Sequence, residues 1–222
     1  MDAQSNENET APRRSASAAG AAVPGDSDSD SDPTAGYRMN HLMLRIRDPE
    51  ASLGFYEGLM GMRVVFTADA GPFTIYYLGY PATAAHRADA ASFARDVGAH
   101  SALTRTLGLL ELCHYHGSER QPPAYHATGA DPPHLGFNHV GFTVPDVRAA
   151  VRRLGAAGVR VVKDVGAGPV DGIPVTRWER EEKGIAQGAL SRRFESIFRQ
   201  IAFVKDPDGY LIELVPNDLE EE

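Results

Sequence analysis

The sequence predicts an α+β fold built from two βαβββ modules. Three observations predict it: apolar residues alternate in short strands around one helix in each half, the halves repeat, and each half closes on a strand carrying a glutamate. NHLMLRIRDPEASLGFYEGLMGMRVV, starting at Asn40, aligns with NHVGFTVPDVRAAVRRLGAAGVRVV, starting at Asn138, and LLELC at Leu109 matches LIELV at Leu211. Self-similarity of this kind marks one structural unit used twice.

The chain begins with a segment that fits no fold. Residues 1–36 are rich in Ser, Ala, Asp, Gly and Pro, include the run DSDSDSD, and hold seven acidic against two basic residues, so they carry five of the eight net negative charges. Such a stretch buries too little apolar surface to offset the entropy of ordering and reads as a disordered tail. Ser15 in RRSAS and the Ser-Asp run are candidate phosphorylation sites, against an unmodified solubilising tail.

Order is expected from Tyr37. In HLMLRIRDP, Leu42, Leu44 and Ile46 face one way while His41, Met43, Arg45 and Arg47 face the other, which is a half-buried strand. Asp48 offers an N-cap and Pro49 suits the first helical position; Leu53, Tyr56 and Met60 recur at helical spacing, and Gly61 can end the helix in a left-handed conformation. MRVVF and FTIYYLGY read as strands. Residues 81–102, Ala-rich with scattered charge, read as loop and a short helix, and LGLLELCHY is the last strand of module one, residues 37–118.

Module two, residues 136–217, repeats the order. HVGFTVPDV is a strand, and Asp146 caps a helix with Val147, Ala150, Val151 and Leu154 on one face. Gly158 ends it, VRVV follows, and QIAFVKDPDGYLIELV gives two strands joined by a DPDG turn. Residues 163–199, with Trp178 and EREEKG, form a long charged insertion inside this module, and residues 218–222 are an acidic tail.

Composition excludes several classes. There is no cluster of Lys and Arg for nucleic acid and no apolar run of the roughly 18 residues a membrane span needs. One cysteine, Cys113, allows no internal disulfide and fits a reducing compartment, so a soluble cytoplasmic protein is expected.

Glu213 sits within an otherwise apolar strand, and carboxylates are seldom buried unless paired or bound to a cation. The repeat supplies a reason. His41 precedes Glu111 by 70 positions and His139 precedes Glu213 by 74, so each half contributes one His on its first strand and one Glu on its last. Alternation turns all four away from the helix layer. If the two sheets meet about a pseudo-twofold axis, two neutral imidazoles and two carboxylates converge on a divalent cation, with Zn, Ni or Co suiting this donor set. The other histidines lack repeat partners and read as surface or loop residues.

NHLMLRIRDPEASLGFYEGLMGMRVV, LELCHYHGSE, GFNHVGFTVPDV and AFVKDPDGYLIEL together resemble the glyoxalase I (lactoylglutathione lyase) family of the vicinal-oxygen-chelate superfamily, over roughly residues 37–217. The resemblance implies open, U-shaped mixed sheets and a homodimer whose metal sites lie between modules of different subunits. It places the metal ligands on His41, Glu111, His139 and Glu213. It implies isomerisation of the glutathione–methylglyoxal hemithioacetal to S-lactoylglutathione, with Glu213 as the proton-transfer base, Glu111 as a second acid/base, and Arg45, Tyr115 and Arg199 on the substrate. The sequence departs from the family at Cys113, Tyr115, His116 and Leu135, where that family binds the polar ends of glutathione. A related metalloenzyme of epimerase or dioxygenase type, and a non-catalytic binding protein on the same scaffold, are the alternatives. A dioxygenase site wants two His and one carboxylate with open positions, which a fourth ligand at Glu111 disfavours.

Overall fold

The computed structural model of the chain describes residues 33–220. The expected disordered tail, with Ser15 and the Ser-Asp run, therefore lies outside the described residues as far as residue 32, as do Glu221 and Glu222. The described residues before Arg38 belong to a separate unit and form a turn closed by Tyr37 N donating to the Thr34 carbonyl. The second unit runs from Arg38.

Two four-stranded mixed sheets make up this unit. In the first, β1 (His41–Ile46), β2 (Arg63–Asp69), β3 (Phe73–Gly79) and β4 (Leu109–Tyr115) lie in the order β1-β4-β3-β2. In the second, β5 (His139–Val144), β6 (Val161–Lys163), β7 (Ala202–Lys205) and β8 (Leu211–Pro216) lie in the order β5-β8-β7-β6. Each first strand runs parallel to its module's last strand, and the remaining pairs are antiparallel. The parallel pair exists because a helix crosses over after the first strand. The α+β fold of two βαβββ modules is thus observed, with each sheet open.

The crossover helices begin and end as their sequences dictate. Asp48 accepts from Glu50 N at 2.9 Å and from Ala51 N, starting α1 (Pro49–Leu53), which continues through wider π-type turns to Leu59. Asp146 accepts from Ala149 N at 2.9 Å and starts α5 (Val147–Ala156). The chain leaves these helices through Gly61 and Gly158, at φ +80° and +84°, a conformation that side chains disfavour.

Both modules share one core. Leu44, Ile46, Leu112 and Tyr56 from the first pack with Val151, Leu154, Ile212 and Leu214 from the second. The strand faces that supply this core are the ones alternation assigns to the helices. Residues 81–102 are more helical than expected: α2 (Ala84–Ala88), α3 (Ala90–Gly98) and α4 (His100–Leu103) cover most of the segment, and Phe93 joins Val65, Leu103 and Leu109 in a satellite cluster. Asp89 separates α2 from α3 by capping the second, accepting from Ser92 N, a stop signal hidden within an Ala-rich run.

The stretch inside module two is not a plain loop either. It ends in α6 (Arg192–Gln200), N-capped by Ser191, and Phe198 and Ile201 pack on Phe203 and Leu211 of the sheet. Lys163, 1% exposed, donates to the carbonyls of Phe198 and Ile201, both at 2.7 Å, and lies 4.5 Å from the Phe198 ring centre. An ammonium on the last carbonyls of a helix is favoured by the helix dipole. Burial nevertheless lowers its pKa to about 8.

Candidate metal centre

The parallel strand pair of each sheet brings one His beside one Glu. Register places Met43 opposite Glu111 and Gly141 opposite Glu213, so each His at the strand start lies two residues before the glutamate's partner and on the same face. His41 Nε2 is 3.3 Å from Glu111 Oε2, and His139 Nε2 is 3.3 Å from Glu213 Oε2. The identical geometry in both sheets is the repeat expressed in three dimensions. The glutamates are 13% and 19% exposed against 36% for either His, so the carboxylates sit deeper than their partners.

The preceding asparagines fix the imidazoles. Asn40 Oδ1 lies 2.5 Å from His41 Nδ1, and Asn138 Oδ1 lies 2.8 Å from His139 Nδ1. A carboxamide oxygen only accepts, so each Nδ1 carries hydrogen, and Nε2 is the ring atom each histidine can offer to a cation. The Asn40 amide is itself oriented, because its Nδ2 donates to the Thr104 carbonyl at 3.2 Å. Asn-His is visible at both repeat starts, but sequence reading gave the asparagines no role. Their signal was the repetition of the dipeptide.

These pairs fit a divalent cation. Ligand bonds of about 2.0–2.2 Å meeting at tetrahedral or octahedral angles put neighbouring donor atoms about 3.0–3.5 Å apart, which is the spacing of each Nε2 and carboxylate oxygen. Nδ1 donation to a carboxamide is the support that metal-binding histidines receive. Within one chain the two pairs do not meet. Among the described residues no group of three or more His, Cys, Asp or Glu lies close enough to hold one ion. Each sheet carries one His–Glu pair. A cavity of about 520 Å³ is bordered by both His41 and His139, together with Asn40, Met62, Tyr80 and Phe142.

Aromatic rings flank both histidines. Tyr77 meets His41 edge-on at 5.3 Å and Phe203 meets His139 edge-on at 5.5 Å. The pKa of His139 is raised, first by its hydrogen bond to Glu213 and opposed by burial. Tyr77 is pushed up to about 12, by burial first and then by hydrogen bonding to Glu111 and the charge there.

The remaining expected residues divide. Arg45 and Tyr115 share the face of His41 and Glu111, and the Arg45 guanidinium stands 4.9 Å over the Tyr115 ring. Cys113 lies between Glu111 and Tyr115 on that face, its thiol raised chiefly by burial. Arg45 borders a second cavity, of about 610 Å³, with Met43, His134, Leu135 and Phe137, so the departure at Leu135 lines the same cavity as the arginine. Arg199 is placed elsewhere: it stands on α6, donates to the Gly166 carbonyl at 3.0 Å, and borders a separate groove with Arg192, Glu195 and Gln200. His114 is also unlike the expected surface histidine, being 9% exposed in β4 with Nε2 3.0 Å from Glu119 Oε2.

The family model described as the Glyoxalase/Bleomycin resistance protein/Dioxygenase superfamily matches residues 38–214. A lactoylglutathione lyase of Pseudomonas aeruginosa is 33% identical over 84% of the chain and 86% of its own length. That of Pseudomonas putida is 33% identical over 82% of the chain and 86% of its length. Among solved structures, the trypanothione-dependent glyoxalase I of Leishmania major aligns at a TM-score of 0.47 and 22% identity, over 81% of this chain and 86% of that one.

Proposed function

The chain belongs to the Glyoxalase/Bleomycin resistance protein/Dioxygenase superfamily, and from that premise we propose that it is a lactoylglutathione lyase. It isomerises the hemithioacetal of glutathione and methylglyoxal to S-lactoylglutathione. The curated relatives of that name, 33% identical over more than four fifths of the chain, support the activity. The observation in the molecule that carries the reading is the duplicated His–Glu pair at 3.3 Å in both sheets.

His41 and Glu111 of one subunit, with His139 and Glu213 of the partner subunit, would hold one divalent cation, Zn, Ni or Co. Two half-sites per chain support a homodimer with two shared centres, because closed twofold symmetry completes both at once. When bound, the cation supplies electrophilic stabilisation of the negative charge that develops on two neighbouring substrate oxygens.

The chain's own groups do the rest. Glu213 removes the proton from the carbon that bears sulfur and returns it to the adjacent carbon, so the carboxylate ends as it began. Its low exposure in a strand between Ile212 and Leu214 limits competition from water. Glu111 is the pseudo-symmetric second carboxylate. Asn40 and Asn138 orient the rings through Nδ1, so that Nε2 is the atom presented to the cation. Arg45 offers a cation for a glutathione carboxylate, and Tyr115 backs its guanidinium.

The test is direct. Purified protein supplied with methylglyoxal, glutathione and Ni, Co or Zn in turn is expected to form the thioester with at least one metal. Absence of thioester with all three contradicts the proposal.

A further inference from the structure

The two modules carry their insertions at different places, and only one insertion lands beside a candidate ligand. In module two the long segment lies between β6 and β7, and β7 joins β8 through a short turn closed by Gly209 N donating to the Asp206 carbonyl. In module one the helices α2, α3 and α4 lie between β3 and β4. Because β4 runs parallel to β1 with Leu109 opposite His41, a segment that feeds into β4 arrives at the strand end where His41 stands.

The contacts there are specific. The Thr104 carbonyl, just past the last turn of α4, accepts from Asn40 Nδ2 at 3.2 Å, and Leu109 N donates to the Asn40 carbonyl at 3.0 Å. The same Asn40 holds the His41 ring through Oδ1. Both ends of the amide are engaged, so it cannot turn over without losing both bonds. Phe93 and Leu103 press the helices onto the sheet against Val65 and Leu109. Gly98, at the end of α3, sets how closely: a Cβ there would lie 2.0 Å from the Val65 carbonyl oxygen, a distance side chains do not reach. Asn138 holds His139 as Asn40 holds His41, but among the described residues its amide nitrogen has no hydrogen-bond partner.

We propose that α2, α3 and α4 together brace the first His–Glu pair, with Asn40 as the positioning residue that passes their hold to the His41 ring. This rests on the metal-site reading above and deepens it. A ring fixed before the cation arrives loses less freedom on binding, so the brace raises affinity without touching the metal. The asparagine that holds His139 is not itself held by a described residue. Residues 84–104 thus belong to the cation site, although none of them is a ligand.

The test uses the full-length protein and reads Co(II) binding by chelator competition. Asn40→Asp keeps an acceptor for His41 Nδ1 and replaces the donor to Thr104 with a second oxygen. Asn138→Asp makes the same chemical change where no such tie exists, so comparing the two cancels the added charge. Asn40→Asp is expected to bind Co(II) about 10-fold more weakly than Asn138→Asp. Gly98→Ala, which lifts the helices off β2, is expected to weaken Co(II) binding several-fold alone and to cost little more in Asn40→Asp, because the brace acts through that residue. Equal Co(II) affinities in the two Asp variants, or a Gly98→Ala loss that is the same in both backgrounds, overturn the proposal. Wild-type protein that takes up no Co(II) overturns the metal site itself, a different failure read from the unmutated chain.

Discussion

The Tyr56 hydroxyl donates to Asp206 Oδ2 at 2.7 Å, with both groups buried and 150 residues apart in the chain. Beside it, Ser52 Oγ and Arg47 N donate to Asp208 at 3.2 and 2.9 Å. The DPDG turn is therefore more than a hairpin connection. Its two carboxylates fasten module two onto the first helix of module one. Removing the Tyr56 hydroxyl leaves a buried carboxylate short of one donor. Tyr56→Phe is expected to lower unfolding stability by about 1.5–3 kcal/mol in urea titration, with metal affinity unchanged. A loss below the error of the titration would mean that the latch contributes nothing.

The same carboxylate predicts a pH dependence. Burial lifts Asp206 from 3.8 to about 6. Between those values the native protein holds a proton that the unfolded chain has released, so stability rises as pH falls through the window. For metal-free protein the Asp206 contribution between pH 7 and 5 is about 1 kcal/mol. His139, also raised, adds in the same direction. The readout is thus the difference between wild type and Asp206→Asn, whose stability should change less over this range. An unchanged slope contradicts the assignment.

The asparagines are expected to govern metal affinity without touching the metal. Asn40→Ala and Asn138→Ala free the Nδ1 hydrogens of His41 and His139 and let the rings turn. Each is expected to weaken metal binding by about 10–100-fold, measured by chelator competition, with little effect on folding. Wild-type affinity in both variants would show that the rings are held by other contacts.

Lys163 ties α6 to the sheet edge through the Phe198 and Ile201 carbonyls. Lys163→Met keeps the bulk and removes the donor, leaving those carbonyls buried without it, at about 1–3 kcal/mol. Amide exchange over residues 192–200 is expected to speed up while β8 stays protected. Equal acceleration in both would indicate a global rather than a local anchor.

Much of this was legible in the sequence because it depends on period and repetition. The alternation in HLMLRIRDP and LGLLELCHY set strand faces, and therefore which side each His and Glu occupies. Asp48, Asp146, Gly61 and Gly158 announced the helix ends through local hydrogen bonding and backbone freedom. What was hidden depends on contacts between distant segments. The roles of Asp206 and Asp208 need the modules packed together. Lys163 in VVK reads as a strand end, and only the return of α6 makes it a buried donor. Pseudo-symmetry, likewise, tells which residues match, but not whether the matching halves meet within one chain or across two.

The shared centre is tested most directly by complementation. Glu111→Ala and Glu213→Ala chains are each expected to be inactive as homodimers. Unfolded together, mixed and refolded, they form heterodimers in which one centre has lost both glutamates and the other retains both. If each centre joins modules of different subunits, random pairing restores thioester formation to about a quarter of the wild-type rate. Heterodimers that form yet stay as inactive as either variant alone would contradict a centre shared between subunits.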